Sequence, residues 1–528
     1  MANVIEVFVG LLLAVAAVGL LARKLQVPYP VLLVVGGLLL GLIPGLPRVQ
    51  LNPEFVFLFF LPPLLFPAAL FTSWRDFRAN LRPISLLAIG LVLFTTVAVG
   101  LLAHYFIEGL PLAAGFVLGA IISPPDAIAA TAIAQRLRVP RRVVTILEGE
   151  SLVNDATALV AYRFAVAAVV TNTFSLAQAS GRFFIVSIGG ILVGLALGWL
   201  TTWFHKQVDD APIEITVSLL TPFAAYLSAE RLGVSGVLAV VAAGLFIGWR
   251  TPEITSARTR LQGGPFWNMI QFLLNGFVFI LIGLQLPEVV RALPEHSVRL
   301  LAWYAVLISL AVVLIRILWV FPATYLPRLL FRKIREHDPY PAWQQVTLVA
   351  WTGMRGVVSL AAALALPLKT QGGSPFPDRE LILFLTFIVI LATLVVQGLS
   401  LPLLIRWLGI KDDHSAEKEE REARLKANRA ALARLSEISE AEPAKQDALQ
   451  RLRIEYEDRV RQLEVCKPGD CDEPNRLFSA EFEHLSLEAL RVERRMILQL
   501  RNERVINDQV LRRIQRDIDL AEARLQAR

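Results

Sequence analysis

The sequence predicts an all-α polytopic membrane protein. About thirteen transmembrane helices form two inverted six-helix repeats with crossed broken helices, and a soluble helical C-terminal tail follows. Three observations predict this. Of the 528 residues, 55% are hydrophobic, and mean hydropathy is +0.56, outside the range of soluble domains. That character stops near Gly409: residues 411–528 carry 24 Lys/Arg and 26 Asp/Glu, whereas the first 410 carry 28 basic and 19 acidic groups. Finally, two apolar runs are interrupted beside a charge, AIISPPDAIAATA around Asp126 and VAWTGMRGVVSLAAALALP around Arg355.

Apolar runs broken by Gly, Pro and charge place spans near 4–22, 29–45, 53–72, 83–106, 111–134, 142–170, 182–204, 212–230, 234–249, 265–286, 298–325, 342–367 and 380–408. Most are long enough for about 30 Å of hydrocarbon. Met1 to Glu6 lacks a basic n-region, so the first run is read as a membrane helix and not as a cleaved signal. Six alternate loops hold 17 Lys/Arg, among them Arg75, Arg78, Arg136, Arg141 and Arg332, against 7 in the opposite six. The richer set is expected in the cytoplasm, with the N-terminus outside, the tail cytoplasmic and the protein multi-pass in the cell (inner) membrane. The basic excess then belongs to loop anchoring, and no nucleic-acid partner is expected.

The fifth and twelfth spans carry the interruptions. Proline and glycine weaken the helical ladder, and backbone groups freed at membrane depth need partners or a wet cavity. With the seventh span as a linker, spans 1–6 and 8–13 form halves of opposite orientation, each broken in its fifth helix. This is the pattern of an inverted-repeat secondary transporter with its site near the midplane.

The sixth span contains GESLVND, Gly149 to Asp155. An ionisable group at bilayer depth costs at least about 2.5–3.5 kcal/mol, so it marks a functional site by default. Glu150 and Asn154 are i, i+4, as are Ser151 and Asp155, so the four are expected on one helix face as a cation or proton path. Elsewhere, Arg163 is expected to snorkel outward, and Gln271 and Asn275 to hydrogen-bond between helices, with lining of the cavity as the alternative. His104, His205, His296, His337, His414 and His484 fall at span ends, in loops or in the tail, and none is placed as a midplane proton carrier.

LPPLLF (Leu61 to Phe66), SPPDAIA (Ser123 to Ala129), GESLVNDA (Gly149 to Ala156), NGFVFILIGLQLP (Asn275 to Pro287) and GMRGVVSLAAALALP (Gly353 to Pro367) together resemble the monovalent cation/proton antiporter family, in its sodium/proton exchanger branch with the Asn-Asp pair. The resemblance covers the membrane part and not the tail. It implies a homodimer with elevator-like alternating access, in which spans 1–3 and 8–10 dimerise and spans 4–6 and 11–13 move. By the same resemblance Asp155 takes either cation or proton, Asn154 is its partner, Ser151 offers a hydroxyl to the cation, and Asp126 hydrogen-bonds around Asn154. Glu150 is expected to pair with Arg355 and lock the core. A hard cation such as Na+ suits oxygen ligands from Asp155, Ser151, freed carbonyls and water. Monovalent cations, protons and membrane lipid are the expected partners, with no cofactor beyond the transported Na+ and H+.

The chain departs from the family pattern at Pro125 and Ala127, which flank Asp126 where Thr and Pro are usual, and at Pro67, where an acid often follows LPPLLF. A cation channel, or a sensor built on this fold with the tail as output, stays open on sequence alone. With no P-loop and no nucleophile constellation, an enzyme is not expected. The tail is expected to form helices over 416–464 and 475–527 around a turn at Pro468, Gly469 and Pro474, with Leu487, Leu490, Ile497, Leu498, Val505, Val510, Leu511, Ile514, Ile518 and Leu525 as an apolar stripe for a hairpin or coiled coil. Cys466 and Cys471 are read as reduced thiols, because C-x4-C alone lacks the ligands for zinc.

Overall fold

The computed structural model describes residues 2–25, 28–43, 56–171, 176–291, 293, 297–410, 412, 414–441, 446–465, 473–503 and 508–526. Both cysteines lie outside these residues. The described chain is helical and forms two compact units, Met1–Asp412 and Asp413–Arg528.

In the first unit α1 is Ala2–Leu25, α2 Tyr29–Gly41, α3 Leu61–Leu70 and α4 Trp74–Ala79. Next come α5 (Leu81–Phe106), α6 (Leu112–Ile122), α7 (Ile128–Arg136), α8 (Arg141–Thr171) and α9 (Leu176–His205). The second half holds α10 (Ala211–Arg231), α11 (Gly236–Ile254), α12 (Ala257–Arg291), α13 (Val298–Leu330), α14 (Arg332–His337), α15 (Trp343–Trp351), α16 (Val357–Leu364) and α17 (Arg379–Trp407). Among the described residues eight helices are long and apolar enough to cross a membrane: α5, α8, α9, α10, α11, α12, α13 and α17. The other five expected spans correspond to the shorter α1, α2 and α3 and to the interrupted pairs α6–α7 and α15–α16.

Close packing comes from small residues, as expected where lipid removes the hydrophobic drive between helices. Gly190, Gly194 and Gly198 of α9 lie against Ser235, Ala239 and Ala243 of α11. A Cβ on Gly37 of α2 would sit 2.1 Å from the Ile280 carbonyl oxygen of α12, and one on Gly283 equally close to that of Val34. Helix starts are capped where the sequence offers an oxygen: Asp210 accepts from the Ile213 N–H at 3.2 Å and Ser235 from that of Leu238 at 3.2 Å. Widened turns at Leu86–Leu91 in α5 and Thr393–Gln397 in α17 each serve a partner. The Leu86 carbonyl accepts from the Trp319 indole at 3.0 Å, and the Thr393 hydroxyl accepts from the Arg355 N–H at 3.1 Å.

The second unit is two helical hairpins. The helices α18 (Ser415–Ala441) and α19 (Gln446–Val465) are joined by Arg421 to the Leu463 carbonyl at 2.8 Å and Arg429 to Glu464 at 2.7 Å. In the other hairpin, α20 (Glu473–Asn502) and α21 (Asp508–Gln526) bury Ile497, Leu511 and Ile518 together, with Leu490, Leu498 and Ile514 packed around them. The continuous helices expected over 416–464 and 475–527 each fold back instead. Six residues of the apolar stripe meet in this way, Val510 is exposed, and Val505 and the Leu525 side chain lie outside the described residues.

Candidate functional site

The site is built where the two interrupted segments meet. Pro124 and Pro125 lack N–H donors and disfavour helix at the residue before them, so α6 stops at Ile122 and α7 starts only at Ile128. Residues Thr352 to Gly356 similarly separate α15 from α16. The breaks are tied together directly. The Asp126 N–H donates to the Met354 carbonyl at 2.6 Å, and Arg355 Nε donates to the Ile122 carbonyl at 2.7 Å.

Charge is matched to helix ends across this crossing. The Asp126 carboxylate accepts from the Ile128 N–H at 2.9 Å and from the Val357 N–H, so the positive ends of α7 and α16 converge on one anion. Arg355 places its cation on the last carbonyl of α6 and also donates to the Gly353 carbonyl. Gly356 is required by space: a Cβ there would lie 1.9 Å from Asp126 Oδ2.

The four polar residues of α8 divide between two directions. Ser151 and Asp155 line a cavity of about 850 Å³. Asn154 is fully buried and donates Nδ2 to the Pro125 carbonyl at 2.7 Å, while its Oδ1 has no partner among the described residues. Asn154 thus grips the main chain one residue before Asp126, not the Asp126 side chain. The Ser151 hydroxyl accepts from the Ala127 N–H at 3.4 Å. Asp155 is 6% exposed, and among the described residues no donor hydrogen-bonds to its carboxylate.

Glu150 turns away from the cavity, and its expected pairing with Arg355 is not what forms. Its partner is Arg316 of α13, with Nη1 to Oε1 at 2.5 Å and Nη2 to Oε2 at 2.9 Å. Both residues are 1% exposed, and Arg316 also donates to the Val349 carbonyl at the end of α15. The cause is side-chain direction. At 100° per residue Glu150 and Asp155 are about 140° apart around α8, too far for one narrow face. Arg316 was the missed residue. Its signal was available as a lone arginine within the apolar run VVLIRILWV.

The cavity runs from Asp126 and Asp155 past Tyr29 of α2, Pro67 of α3 and Gln271 and Asn275 of α12 to Asp76, Gln135, Arg141 and Glu148. It therefore opens on the face bearing the arginine-rich loops. Asn275 of α12 hydrogen-bonds to Tyr29 of α2, as expected between helices, and both Gln271 and Asn275 also stand on the cavity wall; among the described residues the buried Asn275 Oδ1 has no partner. Arg163 makes a two-pronged bond to Glu230 of α10, at 2.8 and 2.9 Å, which sequence spacing did not suggest. No described histidine lines the cavity. Oxygen donors of this kind suit a hard monovalent cation with part of its water retained.

Comparison with known proteins agrees with this geometry. Residues 10–407 match the transmembrane sodium/hydrogen exchanger family. An uncharacterized Na+/H+ exchanger of Mycobacterium tuberculosis is 39% identical over 534 residues, 98% of this chain and 96% of that one. A sodium, potassium, lithium and rubidium/H+ antiporter of Bacillus subtilis is 38% identical over 389 residues, 72% of this chain and 58% of that one. The solved sodium proton antiporter MjNhaP1 of Methanocaldococcus jannaschii superposes with a TM-score of 0.61 at 20% identity, covering 77% of this chain and 99% of that one. With its two crossed breaks and its carboxylate-lined cavity, this chain belongs to the sodium/hydrogen exchanger family.

Proposed function

We propose that the protein exchanges Na+, with K+ or Li+ as alternative cations, for H+ across the cell membrane, electroneutrally and by elevator-type alternating access. The observation that carries the reading is Asp155, a buried carboxylate on the cavity wall that no described donor satisfies. A cation and a proton compete for that one group, so each turnover exchanges one for the other. Asn154 replaces what would be a second carboxylate, which keeps the exchange one for one. Ser151 supplies a hydroxyl beside the cation, and Asp126 holds the two half-helices at the crossing. The Glu150–Arg316 pair locks the core, and Arg355 neutralises the end of α6.

In this reading all thirteen expected spans cross as inverted repeats, α9 is the linker, and the protein is a homodimer. Helices α1–α3 and α10–α12 form the static dimerisation part, while α5–α8 and α13–α17 move with the site. The N-terminus lies outside and the tail in the cytoplasm, so the cavity is open to the cytoplasm.

The test is proton movement driven by an imposed Na+ gradient in proteoliposomes. Wild type acidifies or alkalinises the lumen according to the gradient's direction, and Asp155→Asn does not. Below the pH at which the proton wins, apparent KM for Na+ rises about tenfold per pH unit. Exchange at the normal rate by Asp155→Asn overturns the assignment.

A further inference from the structure

The cavity holds a carboxylate that the exchange reaction does not use. Four acidic side chains line it, Asp76, Asp126, Glu148 and Asp155, against one basic side chain, Arg141. Two of the four are already accounted for by partners. Asp76 is bound by Arg141 at 2.6 Å, and Asp126 is held by the N-termini of two half-helices. Asp155 is the exchange group itself. Glu148 remains. It is half-buried, its recorded partner is the Gln135 amide at 3.2 Å, and no Lys or Arg lies within ion-pair distance of it among the described residues.

Its position along α8 matters. Glu148 precedes Asp155 by seven residues, two helical turns, so both project toward the same cavity about 10 Å apart along the helix axis. Glu148 lies between the Asp76–Arg141 pair at the mouth and Asp155 at depth. An uncompensated negative charge on the wall of a narrow, apolar-backed passage focuses the field and concentrates cations there.

We propose that Glu148 is a staging carboxylate: it collects the partly hydrated monovalent cation in the cavity and passes it to Asp155, two turns deeper. The inference rests on the antiport reading and adds a second cation station to it. Glu148 takes no part in the proton-for-cation swap. Its removal therefore changes how much cation reaches Asp155 and not how fast the loaded carrier turns over.

The experiment measures Na+ dependence of exchange by the full chain in proteoliposomes, with Na+ applied on the cavity side. Glu148→Gln is expected to raise apparent KM roughly three- to tenfold with maximal rate unchanged, the effect of one unit charge about 10 Å away at a dielectric between protein surface and water. The difference should shrink as choline chloride raises the ionic strength, and Glu148→Asp should restore most of the wild-type KM. The double variant Asp76→Asn/Arg141→Gln, which removes an ion pair without changing the net charge of the wall, should move KM less. An unchanged KM in Glu148→Gln, or a lower maximal rate at unchanged KM, overturns the staging role and leaves antiport standing. Absence of any exchange by wild type overturns both. If Glu148→Gln does not fold, wild type decides: its KM must rise with added choline chloride, and a flat dependence overturns the proposal.

Discussion

Removing one partner of the Glu150–Arg316 pair leaves the other charge stranded among residues almost wholly closed to solvent. Such a loss typically costs about 3–5 kcal/mol, whereas replacing both partners by neutral groups of similar volume is far milder. Glu150→Gln and Arg316→Met should each lower the melting temperature of the purified protein sharply, and the double variant should recover much of the loss. Asp155→Asn should show the reverse signature, with exchange abolished and melting temperature preserved, because no hydrogen bond to that carboxylate is lost. A double variant no more stable than either single one would remove the pair from its structural role. At this scale the sequence was legible where local chemistry decides. An acid and its neighbours in GESLVND mark the site, and prolines mark the break. It was not legible where a long side chain chooses between two neighbours. Arg355 and Arg316 both stand near Glu150, and only the packed helices show that Arg355 is spent on the Ile122 and Gly353 carbonyls.

The interrupted helices show what an element contributes beyond its residues. Neither Ser123–Ala127 nor Thr352–Gly356 could satisfy its own backbone in lipid, but each satisfies the other, with Asp126 and Arg355 as complementary charges at the helix ends. The arrangement depends on close approach at Gly356. Gly356→Ala drives a methyl into the Asp126 carboxylate, and the displacement reaches Ser151 and Asn154 through Ala127 and Pro125. Exchange should fall on the order of a hundredfold, the scale of a 1 Å misplacement at a reacting group. Gly263→Ala in α12, where nothing lies within 4 Å, should leave exchange intact. Equal rates for the two variants would mean that the crossing tolerates rearrangement. Breaks and span ends could be read from Pro, Gly and charge. The fold-back of the tail helices could not, because an apolar stripe at helical spacing looks the same whether it pairs with itself or with another chain.

At the scale of the whole molecule, the two units raise the question of which one carries exchange. Every residue assigned to the cation, the proton or the crossing lies within Met1–Asp412. The family match, residues 10–407, also falls within that unit. The tail buries a small core of its own, Ile497, Leu511 and Ile518, and is nearly balanced in charge. A chain ending at residue 412 should therefore insert, melt as a folded protein and exchange Na+ for H+ with the KM and pH dependence of the full chain. The measurement is exchange rate against pH for both lengths in matched proteoliposomes. A folded truncated protein that no longer exchanges would place part of the machinery in Asp413–Arg528. A truncated protein that exchanges with its pH profile displaced would make the tail a regulator of the competition between proton and cation at Asp155.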